Sequence, residues 1–112
     1  MHIDLTGFTG TQAYHRSSIF SNLVHTDGVQ SFCEQASAFW FLDIASTEIQ
    51  ELLDREYFLG IKLIVIDSQA QIQVTDGDEN EMLVKDIAYT DCPHGVYEFF
   101  MTDNVLMLTS EY

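Results

Sequence analysis

The sequence predicts an α+β domain with one long and one short helix packed on an antiparallel β-sheet of about five strands. Three observations carry this prediction. Apolar residues from Val29 to Ile44 recur at three- and four-residue intervals, the period of one helix face. After Arg55 the period falls to two, with Ala70, Ile72 and Val74 alternating against Gln69, Gln71, Gln73 and Thr75. Turn-forming residues then divide the chain into short runs, and helices followed by serial strands are the order of a meander with one face covered by helix. At 112 residues the chain amounts to one domain, residues 1–112, and a cleft between two lobes is not expected. A composition 46% hydrophobic and 20% charged, with a single proline, can build a core.

The elements follow in order. Leu5-Thr6-Gly7-Phe8-Thr9-Gly10-Thr11 reads as an extended or turning segment that packs by Phe8 and, further on, Tyr14. Thr26-Asp27-Gly28 offers an N-cap for the long helix, whose buried side carries Val29, Phe32, Cys33, Ala36, Phe39, Trp40 and Ile44. Its second half, Ala38 to Leu42, is apolar on every side, so burial all round is expected. Thr47 can cap the short helix, with Glu48 to Glu51 at the positive end of its dipole and Ile49, Leu52 and Leu53 facing inward. Strands are expected over Gly60 to Ile66, Ala70 to Val74, Met82 to Tyr89, Val96 to Met101 and Val105 to Thr109. The turns between them are Asp67-Ser68, Asp76 to Asn80, Cys92 to Gly95 and Asp103-Asn104.

Charge narrows the function classes. Eighteen acidic residues against four basic ones give a net charge of -14, which repels nucleic-acid phosphates and anionic membranes alike. Most of it falls after Ser46, which suggests a partner-facing acidic half, although a charged surface also serves solubility. No apolar run approaches the ~18 residues of a membrane span. Two cysteines define no disulfide framework, and Met1-His2-Ile3-Asp4 lacks a secretion signal, so a cytoplasmic, thiol-reduced setting is expected.

The candidate sites are weighed in turn. Asp76, Asp78 and Asn80 alternate like the start of an EF-hand loop, but Glu81 stands where glycine is needed and Ile87 where a bidentate glutamate is needed, leaving an acidic hairpin tip. His2, His15, His25 and His94 lack ligand spacing on any predicted helix, and no Cys-x-x-Cys accompanies Cys33 or Cys92, so neither metal nor cofactor is expected. A Ser/His/Asp set drawn from Ser17, Ser18, His15 and Asp27 has no elbow or phosphate-loop motif to support it. The aromatic residues Phe39, Trp40, Phe41, Phe58, Tyr97, Phe99 and Phe100 lack the surrounding bases of a nucleic-acid stacking platform and read as core. Two rows of carboxylates remain, Glu48, Glu51, Asp54 and Glu56, and Asp76, Asp78, Glu79 and Glu81. The first three fall at helical three-residue spacing, about 5–6 Å between Cβ atoms, so such a face can stand in for a phosphate backbone.

The segments Leu5 to Thr11, Tyr14-His15-Arg16, Thr26-Asp27-Gly28-Val29, Ala38 to Asp43, Thr90-Asp91-Cys92-Pro93 and Asn104 to Tyr112 resemble a family of small uncharacterised bacterial proteins, a domain of unknown function whose members often lie on plasmids and other mobile elements. The resemblance runs from Leu5 to Tyr112, with departures at Cys92, where the family carries an aromatic, and at Thr109, where it carries proline. It implies a shared fold and a mobile-element setting, and it brings no catalytic residues. Charge and setting together lead to the expectation of a non-enzymatic acidic binding protein. It would be a phage- or plasmid-encoded inhibitor of the DNA-mimic or anti-CRISPR kind, occupying a basic surface of a host nucleic-acid-binding protein or CRISPR effector through both rows. The alternative is a structural or housekeeping interaction module whose acidity only solubilises it and which forms a homodimer through Phe41 or an exposed edge strand.

Overall fold

The computed structural model describes residues 3–18 and 21–112. Two short strands come first, β1 (His15–Arg16) and β2 (Val24–His25), followed by helices α1 (Asp27–Ala36) and α2 (Phe39–Ile44). Strands β3 (Phe58–Ile66), β4 (Gln69–Asp76), β5 (Glu81–Ile87), β6 (Gly95–Thr102) and β7 (Val105–Leu108) form the meander, and a 3-10 turn, Thr109–Glu111, follows β7. The class is α+β, with helices packed on a sheet, but the sheet has seven strands in the order β1-β2-β7-β6-β3-β4-β5 rather than about five. It is also not wholly antiparallel, because β2 runs parallel to β7. The two additional strands are two residues each, too short to show a period. Pairing holds them in place: Val24 N–H donates to the Asn104 carbonyl at 3.0 Å and Thr26 N–H to that of Leu106 at 3.1 Å.

The expected long helix breaks. Ser37 takes a left-handed conformation, φ 53, and its N–H returns to the Cys33 carbonyl, the αL way of ending a helix. Ala38 then starts α2, so the apolar spacing survives the break while the axis does not. Thr47 caps nothing. Ser46 and Thr47 hydroxyls both donate to the Asp43 carbonyl, at 3.2 and 2.7 Å, and compete there with the backbone ladder. The helix widens into a π segment, Ala45–Ile49, then tightens into a 3-10 segment, Gln50–Asp54, as one continuous run. Of the apolar run, Ala38, Phe41 and Leu42 are buried whereas Phe39 is exposed and Trp40 half-buried. Tyr14 is 64% exposed, in contrast to Phe8, which packs on the core.

The core lies between the helices and one face of the sheet. On β3 the residues Leu59, Ile61, Leu63 and Val65 point into it, and Phe99 of β6 meets Phe32 of α1 edge-on at 5.3 Å and Phe41 of α2 at 4.9 Å. Alternate residues face the other way. That face carries Phe58, Gly60, Lys62 and Ile64 on β3, and its side chains reach solvent, with Ile66 53% and Val96 58% exposed.

Glu111 fixes the start of α1. Its carboxylate accepts from the Thr26 hydroxyl at 2.5 Å, from Gly28 N–H at 3.2 Å and from Leu108 N–H at 3.0 Å, placing a negative charge at the positive end of the helix dipole. The approach requires glycine: a Cβ on Gly28 would lie 2.5 Å from Leu108 Cδ1 and 2.6 Å from Glu111 Oε1. Alanine ordinarily strengthens a helix, by up to about 1 kcal/mol over glycine, but here overpacking wins. Gly28→Ala is expected to lower stability by about 1–3 kcal/mol, read as a lower denaturant midpoint at unchanged slope. Gly10→Ala, with nothing within 4 Å of its added Cβ, should stay within about 0.5 kcal/mol of the parent.

Candidate functional site

Strand register places the acidic residues. Phe58, where β3 begins, pairs with Thr102 at the end of β6, and Leu59 pairs with Asp76 at the end of β4. The link from the 3-10 segment into β3, the β4–β5 turn and the β6–β7 turn therefore share one end of the sheet. Asp54 and Glu56 come from the first, Asp76, Asp78, Glu79 and Glu81 from the second, and Asp103 from the third. Glu51 joins them, since residues three apart eclipse in a 3-10 helix and Glu51 and Asp54 border one depression with Asn104. At about 4.8 Å per strand the two outer turns stand ~14 Å apart. Arg55 is the one base in these segments.

These carboxylates differ in what they do locally. Asp76 builds the turn: its carboxylate accepts from Asn80 N–H at 3.0 Å, Asn80 Nδ2 at 3.1 Å and Asp78 N–H at 2.8 Å, and the Asn80 bonds above all hold its carboxyl below the usual carboxylate range. Asp78, Glu79 and Glu81 are exposed, as are Glu51 and Asp54, while Glu56 is half-buried. Glu48 does not join the group. It pairs with Lys85 of β5 at 3.0 Å, and Lys85 lies opposite Ile72 in the middle of β4, so the row that sequence spacing assigned to one helix face divides. Sequence spacing gives Asp103 no place in either row, although every second turn of a meander shares an end.

The solvent face of the sheet holds a second feature. Gly60 lacks a side chain between Phe100 of β6 and Thr75 of β4, which leaves an open depression of about 520 Å3 bordered by Phe58, Phe100, Lys62, Glu98, Asp76 and Glu79. Phe58, Phe100 and Tyr112 pack against one another at 5.0–5.4 Å. They belong to this face, not to the core. Lys62 and Glu98 form a loose pair at 3.8 Å.

The polar residues of the N-terminal strands converge as well. His15 Nε2 lies 2.8 Å from Asp27 Oδ1, and the His15 ring stacks on His25 at 5.3 Å. The Ser17 hydroxyl lies 2.7 Å from His25 Nδ1, and His25 Nε2 lies 2.6 Å from Gln30 Oε1. With the Gln30 oxygen accepting, Nε2 carries the proton and Nδ1 accepts from serine. That tautomer suits a general base, yet the imidazole is only 1% exposed and borders neither depression named above. The network ties β1 and β2 to the start of α1. His2 lies outside the described residues.

Both cysteine thiols are buried; burial pushes Cys33 up to about 12 and Cys92 up to about 11, so both stay protonated near neutrality. Among the described residues no three His, Cys, Asp or Glu side chains gather to hold a metal ion, and no helix is long and apolar enough to cross a membrane.

With this geometry in place, comparison with known proteins gives a class and no activity. A family model covers residues 1–112, and the chain belongs to that family, the family of unknown function DUF6876. No curated protein and no solved structure matches it.

Burial lowers the His25 pKa, and the neighbouring His15 adds to the effect, while the bond to Gln30 opposes it. The folded state therefore binds fewer protons than the unfolded chain at pH values below the ordinary histidine value of 6.5. Its stabilisation is complete above that value and is lost as pH falls towards the lowered one. The denaturant midpoint is expected to drop between pH 7.5 and 5.5 and to drop less in His25→Gln. Equal drops would remove His25 as the cause. Asp27, held low mainly by His15, acts in a separate window below 3.8.

Proposed function

We propose that the protein is a non-enzymatic acidic binding protein that offers one end of its sheet to a cationic surface built for nucleic acid. The observation that supports this most is the register of β3, which gathers Glu51, Asp54, Glu56, Asp78, Glu79, Glu81 and Asp103 along ~14 Å of sheet end, with Asp76 holding the β4–β5 turn at one side. Carboxylates at that density present a cationic groove with the charge pattern of a phosphate backbone, and long-range attraction steers the encounter. The finer form of the reading is an inhibitor of the DNA-mimic or anti-CRISPR type, from a phage or plasmid, acting on a host nucleic-acid-binding protein or a CRISPR effector.

Folding makes little use of these side chains. Glu51, Asp54, Asp78, Glu79 and Glu81 are exposed, and among the described residues none of their carboxylates is engaged in a hydrogen bond or ion pair, in contrast to that of Asp76. The triple variant Glu51→Lys, Asp54→Lys, Asp78→Lys is therefore expected to keep or gain stability through relief of self-repulsion. Its displacement of labelled duplex DNA from basic DNA-binding proteins and CRISPR effectors should weaken by roughly tenfold or more. Asp91→Lys is the control, at the far end between Ile87 and Gly95; its effect should stay within about twofold. Failure to displace DNA from any such protein, or equal effects of both variants, would overturn the proposal.

A second reading, an interaction module with acidity for solubility only, has the seven-residue edge strand β5 in its favour. The dimer route through Phe41 is closed, because that ring is 0% exposed. Two copies at -14 each repel, so light scattering should give a monomer at low salt. A salt-insensitive dimer supports this second reading instead.

A further inference from the structure

The depression over Gly60 adjoins the acidic end and shares Asp76 and Glu79 with it, but its lining is mixed in a specific way. Two phenyl rings, Phe58 and Phe100, stand on a solvent-facing sheet surface, braced by Tyr112. Two carboxylates, Glu79 and Glu98, border the same space. Asp76 also borders it, but the turn engages its carboxylate. Glu98 is only loosely held by Lys62, at 3.8 Å with both side chains about half exposed. Such a pair contributes little and exchanges readily.

We infer, building on the cationic partner proposed above, that this depression receives an arginine side chain of that partner, its guanidinium lying against the Phe58 and Phe100 rings and bonded to Glu98. The chemistry selects that occupant. A guanidinium is planar, weakly hydrated and able to stack on a ring while its edge donates two parallel bonds to a carboxylate. An ammonium is compact and strongly hydrated and uses only the carboxylate. A phosphate or a nucleic acid meets Glu79 and Glu98 as like charges, an apolar segment would desolvate Glu98 and Lys62, and a second copy of this chain brings another -14. Lys62 is the built-in competitor, which makes its removal informative.

The probes are two capped hexapeptides of equal charge, hexa-arginine and hexa-lysine, titrated into the full chain by calorimetry. The arginine peptide is expected to bind roughly tenfold more tightly. Phe100→Leu and Glu98→Gln should each erase most of that preference, and Lys62→Gln should enlarge it. In the unaltered protein, N-acetyl-arginine amide should shift the backbone amide resonances of Gly60, Lys62 and Glu98, a readout that needs no variant to fold. Equal affinity for the two peptides, a preference that survives in a folded Phe100→Leu variant, or shifts confined to residues 76–81 would each overturn the inference. Failure of the acidic-end reading looks different: the Glu51, Asp54, Asp78 lysine variant would then leave binding of both peptides unchanged, with the arginine preference intact.

Discussion

Strand β3 pairs along its length with β4 on one side and β6 on the other, and the register of those two ladders fixes most of what this protein can present to a partner. Because side chains alternate across a strand, that register decides that Leu59, Ile61, Leu63 and Val65 enter the core while Phe58, Gly60 and Lys62 face solvent. A slip of one residue would reverse both sets, so the buried face enforces the register and the exposed face inherits it. The same ladders decide which turns meet. The residues that hold the fold and those that hold the charge are thus ordered by one set of backbone bonds.

How much of this was legible in the sequence depends on the length of the element concerned. The meander from β3 to β7 follows from alternation and turn residues, and its boundaries shift only slightly from the expected ones. The α1 start follows from Thr26, whose hydroxyl accepts Val29 N–H at 3.4 Å. By contrast, nothing at Ser37 announces a left-handed residue, because glycine or asparagine is the usual signal. Nor do His15-Arg16 or Val24-His25 announce strands, since β1 pairs with β2, and β2 is held in the sheet by β7, more than 80 residues further along the chain. Thr47 misled for a related reason: a hydroxyl that would cap a helix start can instead bond back to the Asp43 carbonyl within a helix.

The candidate site was legible in its residue types but not in its grouping. Spacing by three assigned Glu48, Glu51 and Asp54 to one α-helical face, yet the chain there passes from π to 3-10 geometry, and Glu48 turns to Lys85. The second row, at 76–81, lies far along the chain from the first, and only β3 brings the two to one end. In the sequence Phe58 and Phe100 read as core because no bases surround them as a stacking platform needs. Their even-numbered places on β3 and β6, opposite in phase to Leu59 and Phe99, put them outside.

Net charge by itself does not separate the roles of the acids, and the structure shows why. Asp27, Asp76 and Glu111 are each enclosed by donors: His15 and Gln12 for the first, Asn80 and Asp78 for the second, Thr26, Gly28 and Leu108 for the third. Each orders a particular piece of backbone, and charge there is a means of making strong hydrogen bonds. Among the described residues the carboxylates of Glu51, Asp54, Asp78, Glu79 and Glu81 have no such donors, and grouping them raises mutual repulsion that folding does not require. A solubilising surface is served as well by acids dispersed over the molecule. Concentration at one end, next to a half-buried pair of phenyl rings, is a feature that solubility leaves unexplained and that the proposed cationic partner would use.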